Sequence, residues 1–344
     1  MRLLGAGLAL AAAGVGVGCA FSAPRYHGLV SDHFDGRHFH NPAAPEPHGA
    51  GGLLRWMTHR EPGPWRDWVD DPPGLPPAAR VEGGAIRVTV VGHATALIQM
   101  DGINVLTDPI WSDRASPVAF AGPKRVRVPG IRFEELPHID LVLVSHNHYD
   151  HLDLRTLRRL EEEHHPRFVV PLGNAEVLER GGIPGATELD WWQSVEVAPG
   201  VKLTVVPSQH FSNRGPFDAG NTLWSSFVIE GPSGRAFFAG DTGYGPHFKE
   251  IGRRMGAMRV ALLPIGAFRP RWFMSPVHMG PDEAVRAAQD LGAATSVAIH
   301  FGTFRLADDG EMEPVVELRK ALEATPELRF WVLGFGEGRE VPAP

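Results

Sequence analysis

The stretch "LVLVSHNHYDHLD", residues 141 to 153, constrains this chain more than any other: apolar Leu141 to Val144 run into Ser145, and His146, His148, Asp150 and His151 follow at once. A short apolar run bounded by polar residues reads as a buried strand. Residues two apart in an extended segment point the same way, so His146 and His148 can share one ion. Asp150 and His151 lie around the next turn and can reach a second. Imidazole nitrogens and a carboxylate suit zinc and leave room for water; iron and manganese accept the same donors. The bland alternative is a solvated histidine-rich loop, and the position directly after a buried strand argues against it.

Four donors do not complete two ions, so further ligands are expected at other strand ends. "TVVPSQHF" presents His210, "FFAGDTGY" presents Asp241 and "VAIHFGTF" presents His300, each closing an apolar run. One such histidine is ordinarily a hydrogen-bonded surface group; three ends beside the first motif reverse that reading. The rest of the pattern fits strands interleaved with helices. "IRVTVVGHATALIQMDGINVLTDP" reads as two apolar stretches joined by a hairpin at Asp101-Gly102. "LRTLRRLEEEHH", "PDEAVRAAQDLG" and "EPVVELRKALEA" read as helices, the second opened by Pro281 and closed by Gly292. The fold class expected is α/β, with the site at strand ends.

Composition narrows the function. A formal charge of −7 over 344 residues offers no basic surface for a nucleic acid. The single cysteine, Cys19, excludes an intramolecular disulfide and a cysteine zinc knuckle. It follows an uncharged run from Leu3 to Val17 that fits the hydrophobic part of a secretory signal, and the small residue before it resembles a bacterial lipobox. The organisation expected is therefore a signal peptide or lipoprotein signal over 1–19, a Pro/Gly-rich leader packed on the domain over 20–85, and one α/β domain over 86–344. Export to the bacterial cell envelope is the matching expectation for location, with lipidation at Cys19 standing beside a plain cleaved signal or an uncleaved anchor.

The His-x-His-x-Asp-His motif, the later His210, the Gly-Asp-Thr-Gly around Asp241 and the final His300 resemble the metallo-β-lactamase superfamily. "VGHATALIQMDGINVLTDPIWSDRASP", "ELDWW", "PSQH", "PIGAFRPRWFM" and "HMGPDEAV" resemble, in order, its N-acyl-phosphatidylethanolamine-hydrolysing phospholipase D branch, over roughly residues 86 to 335. That resemblance implies an αββα sandwich with a dinuclear metal site at one edge of the sheets. It implies two Zn2+: His146, His148 and His210 on the first, Asp150, His151 and His300 on the second, with Asp241 bridging. It implies attack on phosphorus by water that the ions activate, Asp150 and Asp241 being catalytic through the metals, with no covalent intermediate on Ser145. His278 is the candidate for assisting or positioning the leaving oxygen. His93 braces the site from the first hairpin, and Asp108 orients a ligand.

Lys124, Arg125, Arg127 and Arg132, and Arg269 and Arg271 among Phe268, Trp272, Phe273 and Met274, place cations beside apolar groups, which suits phospholipid headgroups and acyl chains together. The expected substrate is N-acyl-phosphatidylethanolamine or a close lipid, the expected partners a phospholipid and a membrane surface, and a homodimer stays open. Three other readings stand beside it: a lactonase or another phosphodiesterase of the same fold, a β-lactam hydrolase, and a non-catalytic zinc-binding envelope lipoprotein.

Overall fold

The computed structural model describes residues 21–42 and 48–343, so the proposed signal with Cys19 lies outside the described residues. In chain order the elements begin with α1 (Ala50–Thr58), β1 (Ile86–Gly92), β2 (Thr95–Met100), β3 (Ile103–Thr107) and β4 (Leu141–Leu143). Next come α2 (Leu154–His164), β5 (Arg167–Pro171), α3 (Asn174–Arg180), β6 (Thr187–Leu189) and β7 (Ser194–Ala198). β8 (Val201–Val206), β9 (Ser226–Gly231), β10 (Gly234–Phe238), α4 (His247–Met255) and β11 (Val260–Pro264) follow. The last are α5 (Arg271–Met274), α6 (Pro281–Asp290), β12 (Ser296–Ile299), α7 (Glu313–Leu322), β13 (Phe330–Trp331) and β14 (Gly338–Val341).

These strands form two seven-stranded sheets, β14-β1-β2-β3-β4-β5-β6 and β13-β12-β11-β10-β9-β8-β7. Alternation along each strand explains why they stack. Val88, Ile98, Val105 and Leu143 of one sheet meet Leu203, Phe227, Phe238 and Leu262 of the other in the central core. The intervening residues point outward: Leu97, Leu106 and Val142 pack with Leu157 of α2 and Leu178 of α3, while Phe237, Ala261 and Ala298 pack with Phe248 of α4, Val285 of α6 and Leu318 of α7. Strands buried on both faces read as the continuous apolar runs seen in the sequence. The result is the expected αββα sandwich.

The Asp101-Gly102 turn has φ of 49° and 77°, the paired positive values of a type I′ hairpin. The first apolar stretch is two strands rather than one, broken at Gly92 and His93 with φ of 152° and 55°; this tight return points His93 along the sheet edge. The leader also departs from expectation, because residues 50–58 form a helix despite Gly51 and Gly52. Tertiary contacts hold it: the Trp56 ring stacks on Phe273 at 5.1 Å and its Nε1 donates to Asp308 Oδ2 at 3.0 Å.

The cations expected at the substrate surface are largely committed elsewhere. Arg125 and Arg127 are buried. Arg125 donates to the carbonyls of Ser112 and Ile110, and Arg127 pairs with Asp71 and Glu311. Arg269 pairs with Glu313 and Arg271 with Glu283, and Phe268 and Met274 are core residues. Desolvating a guanidinium demands full pairing, and the acidic partners came from distant segments that local spacing does not reveal. Replacing Arg127 with Met should leave the buried Glu311 with Arg66 as its remaining ion-pair partner and cost about 2 kcal/mol; urea unfolding showing no loss would contradict that role.

Candidate metal centre

The site forms where strands end at one edge of the sandwich. β4 ends at Leu143 and delivers Ser145 to His151; β8 delivers His210, β10 delivers Asp241 and β12 delivers His300. Local backbone geometry aims them. His93, Asp108 and His300 have φ of 55°, 34° and 60°, uncommon values for residues other than glycine. The His300 N–H donates to the His93 carbonyl at 2.8 Å, which ties two of these turns together. Gly240, with φ of 59°, lies so close to Ser145 that a Cβ would collide with it. The glycine before Asp241 is thus required by the meeting of β10 with the end of β4.

All seven residues expected to be ligands come together. His146 Nε2 lies 2.8 Å from His148 Nδ1, and His210 Nε2 lies 3.2 Å from the same atom. His151 Nε2 lies 3.2 Å from Asp150 Oδ2 and 3.1 Å from Asp241 Oδ2, and His300 Nε2 lies 3.1 Å from Asp241 Oδ1. Asp241 therefore faces both histidine groups, since its Oδ2 is also 3.8 Å from His210 Nε2. His278 Nδ1 stands 3.9 Å from Asp241 Oδ2, at the margin of the cluster. His93 Nε2 lies 2.8 Å from Asp150 Oδ2, the same oxygen that faces His151 Nε2 and His300 Nε2, so His93 joins the donor group of these three beyond the bracing role expected of it.

The outer hydrogen bonds decide which ring nitrogens are free. Ser145 Oγ donates to Asp108 Oδ2 at 2.6 Å, so at 2.9 Å it accepts the proton of His146 Nδ1. His151 Nδ1 donates to Asp108 Oδ2 at 2.6 Å, and His210 Nδ1 donates to the Val277 carbonyl at 2.8 Å. Each bond leaves an Nε2 lone pair turned inward, toward other lone pairs or toward carboxylates. His151 Nε2, Asp241 Oδ1 and His300 Nε2 are buried without any hydrogen-bond partner. Lone pairs and carboxylates converging in a buried space require positive charge between them, which is what divalent metal supplies. The donor set fits a metal ion.

Protonation follows the same field. Burial, aided by neighbouring imidazoles, holds His146 well below its ordinary value, and burial likewise takes His93 to about 3. Burial also opposes charge on His300, yet the carboxylates of Asp241 and Asp150 raise it to about 9. Burial is the largest single influence on His151 and opposes its charge, yet Asp241, Asp150 and Asp108 together raise it well above the ordinary histidine value.

A cavity of about 730 Å³ opens on His210 and His278. Its walls are Phe39, Leu53, Trp56, Phe211, Trp224 and Phe273, with Asn41 at the rim donating to the His210 carbonyl at 2.8 Å. Sequence reasoning missed the leader residues in this wall, because nothing in their spacing ties Phe39 or Trp56 to strand ends far along the chain.

A family model described as Beta-lactamase superfamily domain matches residues 103–301. The chain is 40% identical over 263 residues to N-acyl-phosphatidylethanolamine-hydrolyzing phospholipase D 1 of Caenorhabditis elegans, covering 72% of this chain and 74% of that one. It is 31% identical over 261 residues to a metal-dependent hydrolase of Methanopyrus kandleri, covering 74% of this chain and 100% of the relative. Among solved structures, the metallo hydrolase Igni18 of Ignicoccus hospitalis aligns with a TM-score of 0.55 at 22% identity over 74% of this chain and 98% of its own; that likeness bears on the fold alone.

Replacing Asp241 with Asn removes the negative charge that faces both histidine groups, and should sharply lower bound divalent metal and nearly abolish turnover. Metal analysis showing wild-type content together with wild-type activity would contradict the position assigned to Asp241.

Proposed function

The chain belongs to the β-lactamase superfamily and is a metal-dependent hydrolase, and from that premise we propose that it is a zinc-dependent phosphodiesterase of phospholipase D type. Its substrate in this reading is N-acyl-phosphatidylethanolamine or a close lipid, released as phosphatidate and an N-acylethanolamine. The observation that carries the reading is the apolar cavity opening directly on the histidine and aspartate cluster. Its volume falls within the range that holds most of a lipid-sized ligand, and its aromatic walls suit an acyl chain. The name of the worm relative, at 40% identity, supports the same bond class.

In this reading His146, His148 and His210 hold one zinc ion, Asp150, His151 and His300 hold a second, and Asp241 serves both. Bound there, the two ions supply an activated water near neutral pH and neutralise phosphate oxygens. The protein does the rest. Asp108, Ser145 and the Val277 carbonyl keep three imidazoles in the tautomer that turns Nε2 inward. The cavity excludes water from the acyl chain and directs the phosphodiester to the cluster. Arg127, Arg269 and Arg271 are each paired with a carboxylate, so none of the three offers a free guanidinium to a phosphate.

His278 lies at the junction of cavity and cluster. Burial lowers it to about 4, so at pH 7 it is neutral and serves the leaving oxygen as a hydrogen-bond donor rather than as a standing charge. The helix α1 exposes Leu53, Leu54 and Met57 beside the cavity, with Arg55 over the half-exposed Trp272 ring at 4.5 Å. That surface suits a lipid interface. No helix among the described residues is long and apolar enough to cross a membrane.

The full chain loaded with zinc should convert N-acyl-phosphatidylethanolamine in mixed micelles to phosphatidate and N-acylethanolamine, both identified by mass spectrometry. In ¹⁸O-labelled water the label should enter phosphatidate, since water attacks phosphorus and the bond to the ethanolamine oxygen breaks. Turnover of lactones with no lipid product would contradict the substrate class. Replacing His278 with Ala should lower kcat about 100-fold while leaving metal content unchanged, in keeping with the loss of one donor to a developing oxyanion; steady-state kinetics with an unaltered kcat would remove His278 from the reaction.

A further inference from the structure

Among His146, His151, His210 and His300, only His300 has an outer nitrogen without a protein partner: its Nδ1 is buried and unbonded, whereas the other three place Nδ1 on Ser145, Asp108 and the Val277 carbonyl. Beside His300 lies a cavity of about 10 Å³, lined also by His93, Trp65, Phe304 and Asp309. Asp309 is buried, its Oδ2 accepts from the Ala267 N–H at 3.1 Å, and its Oδ1 has no partner. A donor and an acceptor, each missing a partner, thus belong to residues bordering one void. A void of this size admits a single water, and a polar lining is what keeps such a void wet.

We propose that one internal water fills this void, accepting from His300 Nδ1–H and donating to Asp309 Oδ1, so that Asp309 is a positioning residue for His300. The bridge keeps the proton on Nδ1 and the Nε2 lone pair turned toward Asp150 and Asp241. The carboxylate behind the water also raises the basicity of the ring, as outer partners of metal-bound histidines do. The leader supplies the rigidity this needs. Arg60 pairs with Asp308 at 2.6 Å, Trp65 Nε1 donates to the Asp309 carbonyl at 2.8 Å, and Arg66 pairs with Glu311 at 2.6 Å. The turn carrying Asp309 is thereby fastened on both sides, and residues 60–66 acquire a role in the metal centre without touching it.

This inference rests on His300 being a metal ligand, so the test separates the two claims. The metal-free full chain is titrated with zinc against a chromogenic chelator for the wild type, Asp309→Ala and Asp309→Asn, with urea unfolding of each metal-free form. The alanine variant should bind one zinc about 10- to 100-fold more weakly. The asparagine variant, with one acceptor oxygen for two donors, the water and the Ala267 N–H, should lose affinity too but less than alanine, since its side chain still borders the void, and metal-free stability should not account for the order. In the zinc-loaded wild type, ¹⁵N spectra should show His300 Nδ1 protonated. Wild-type zinc affinity in Asp309→Ala, or an unprotonated Nδ1 in the loaded wild type, would overturn the proposal; the second readout holds even if the alanine variant does not fold. A wild type that binds no zinc would instead overturn the metal-centre reading beneath it.

Discussion

Buried imidazole lone pairs and carboxylates facing one another are the constraint on which the rest of this structure depends. His146, His151 and His210 have their outer nitrogens satisfied by Ser145, Asp108 and Val277, so their inner nitrogens cannot avoid the carboxylates of Asp150 and Asp241 or one another. Such an arrangement is costly unless cations sit within it. The two sheets bear that cost by close packing: Phe227 and Phe238, cross-strand neighbours of one sheet with near-parallel rings 6.5 Å apart, project into the core that Val88, Ile98 and Leu143 of the other sheet fill. The positive φ at His93, Asp108 and His300 belongs to the same bargain, since local strain persists only where surrounding structure fixes it.

The metal cluster was legible in the sequence because strand ends are local features. An apolar run that closes on His or Asp announces both the strand and its terminus, and the seven residues that cluster at the sheet edge carry that signal alone or with the family resemblance. Core strands and the helices α2, α6 and α7 were legible for a similar reason: period and caps lie within a dozen residues, as with Asp153 accepting from the Arg155 N–H and Glu283 reaching back to Gly280. What depended on distant partners was not. Arg127 looks like a surface cation until Glu311, at the other end of the chain, is seen to neutralise it. Helix α1 has poor intrinsic propensity and exists because Phe273 and Asp308 receive Trp56.

The leader changes how the hydrolase is understood. Its residues close one wall of the apolar cavity through Phe39, Leu53 and Trp56, and they fasten the turn at Asp308 to Glu311 behind the cluster. The wall of the cavity and the turn behind the cluster are therefore joined through a segment that carries none of the seven clustered His and Asp residues. A fold shared with many hydrolases becomes specific through such additions, because the donor set at the strand ends is compatible with several reactions while the cavity above it is not.

The most direct test of the central claim is anomalous diffraction from crystals of the full chain loaded with zinc. Two peaks are expected, one among His146, His148 and His210 and the other among Asp150, His151 and His300, with Asp241 between them. A single peak, or peaks that leave Asp241 and His300 uncoordinated, would contradict the assignment of these strand ends to one shared metal centre.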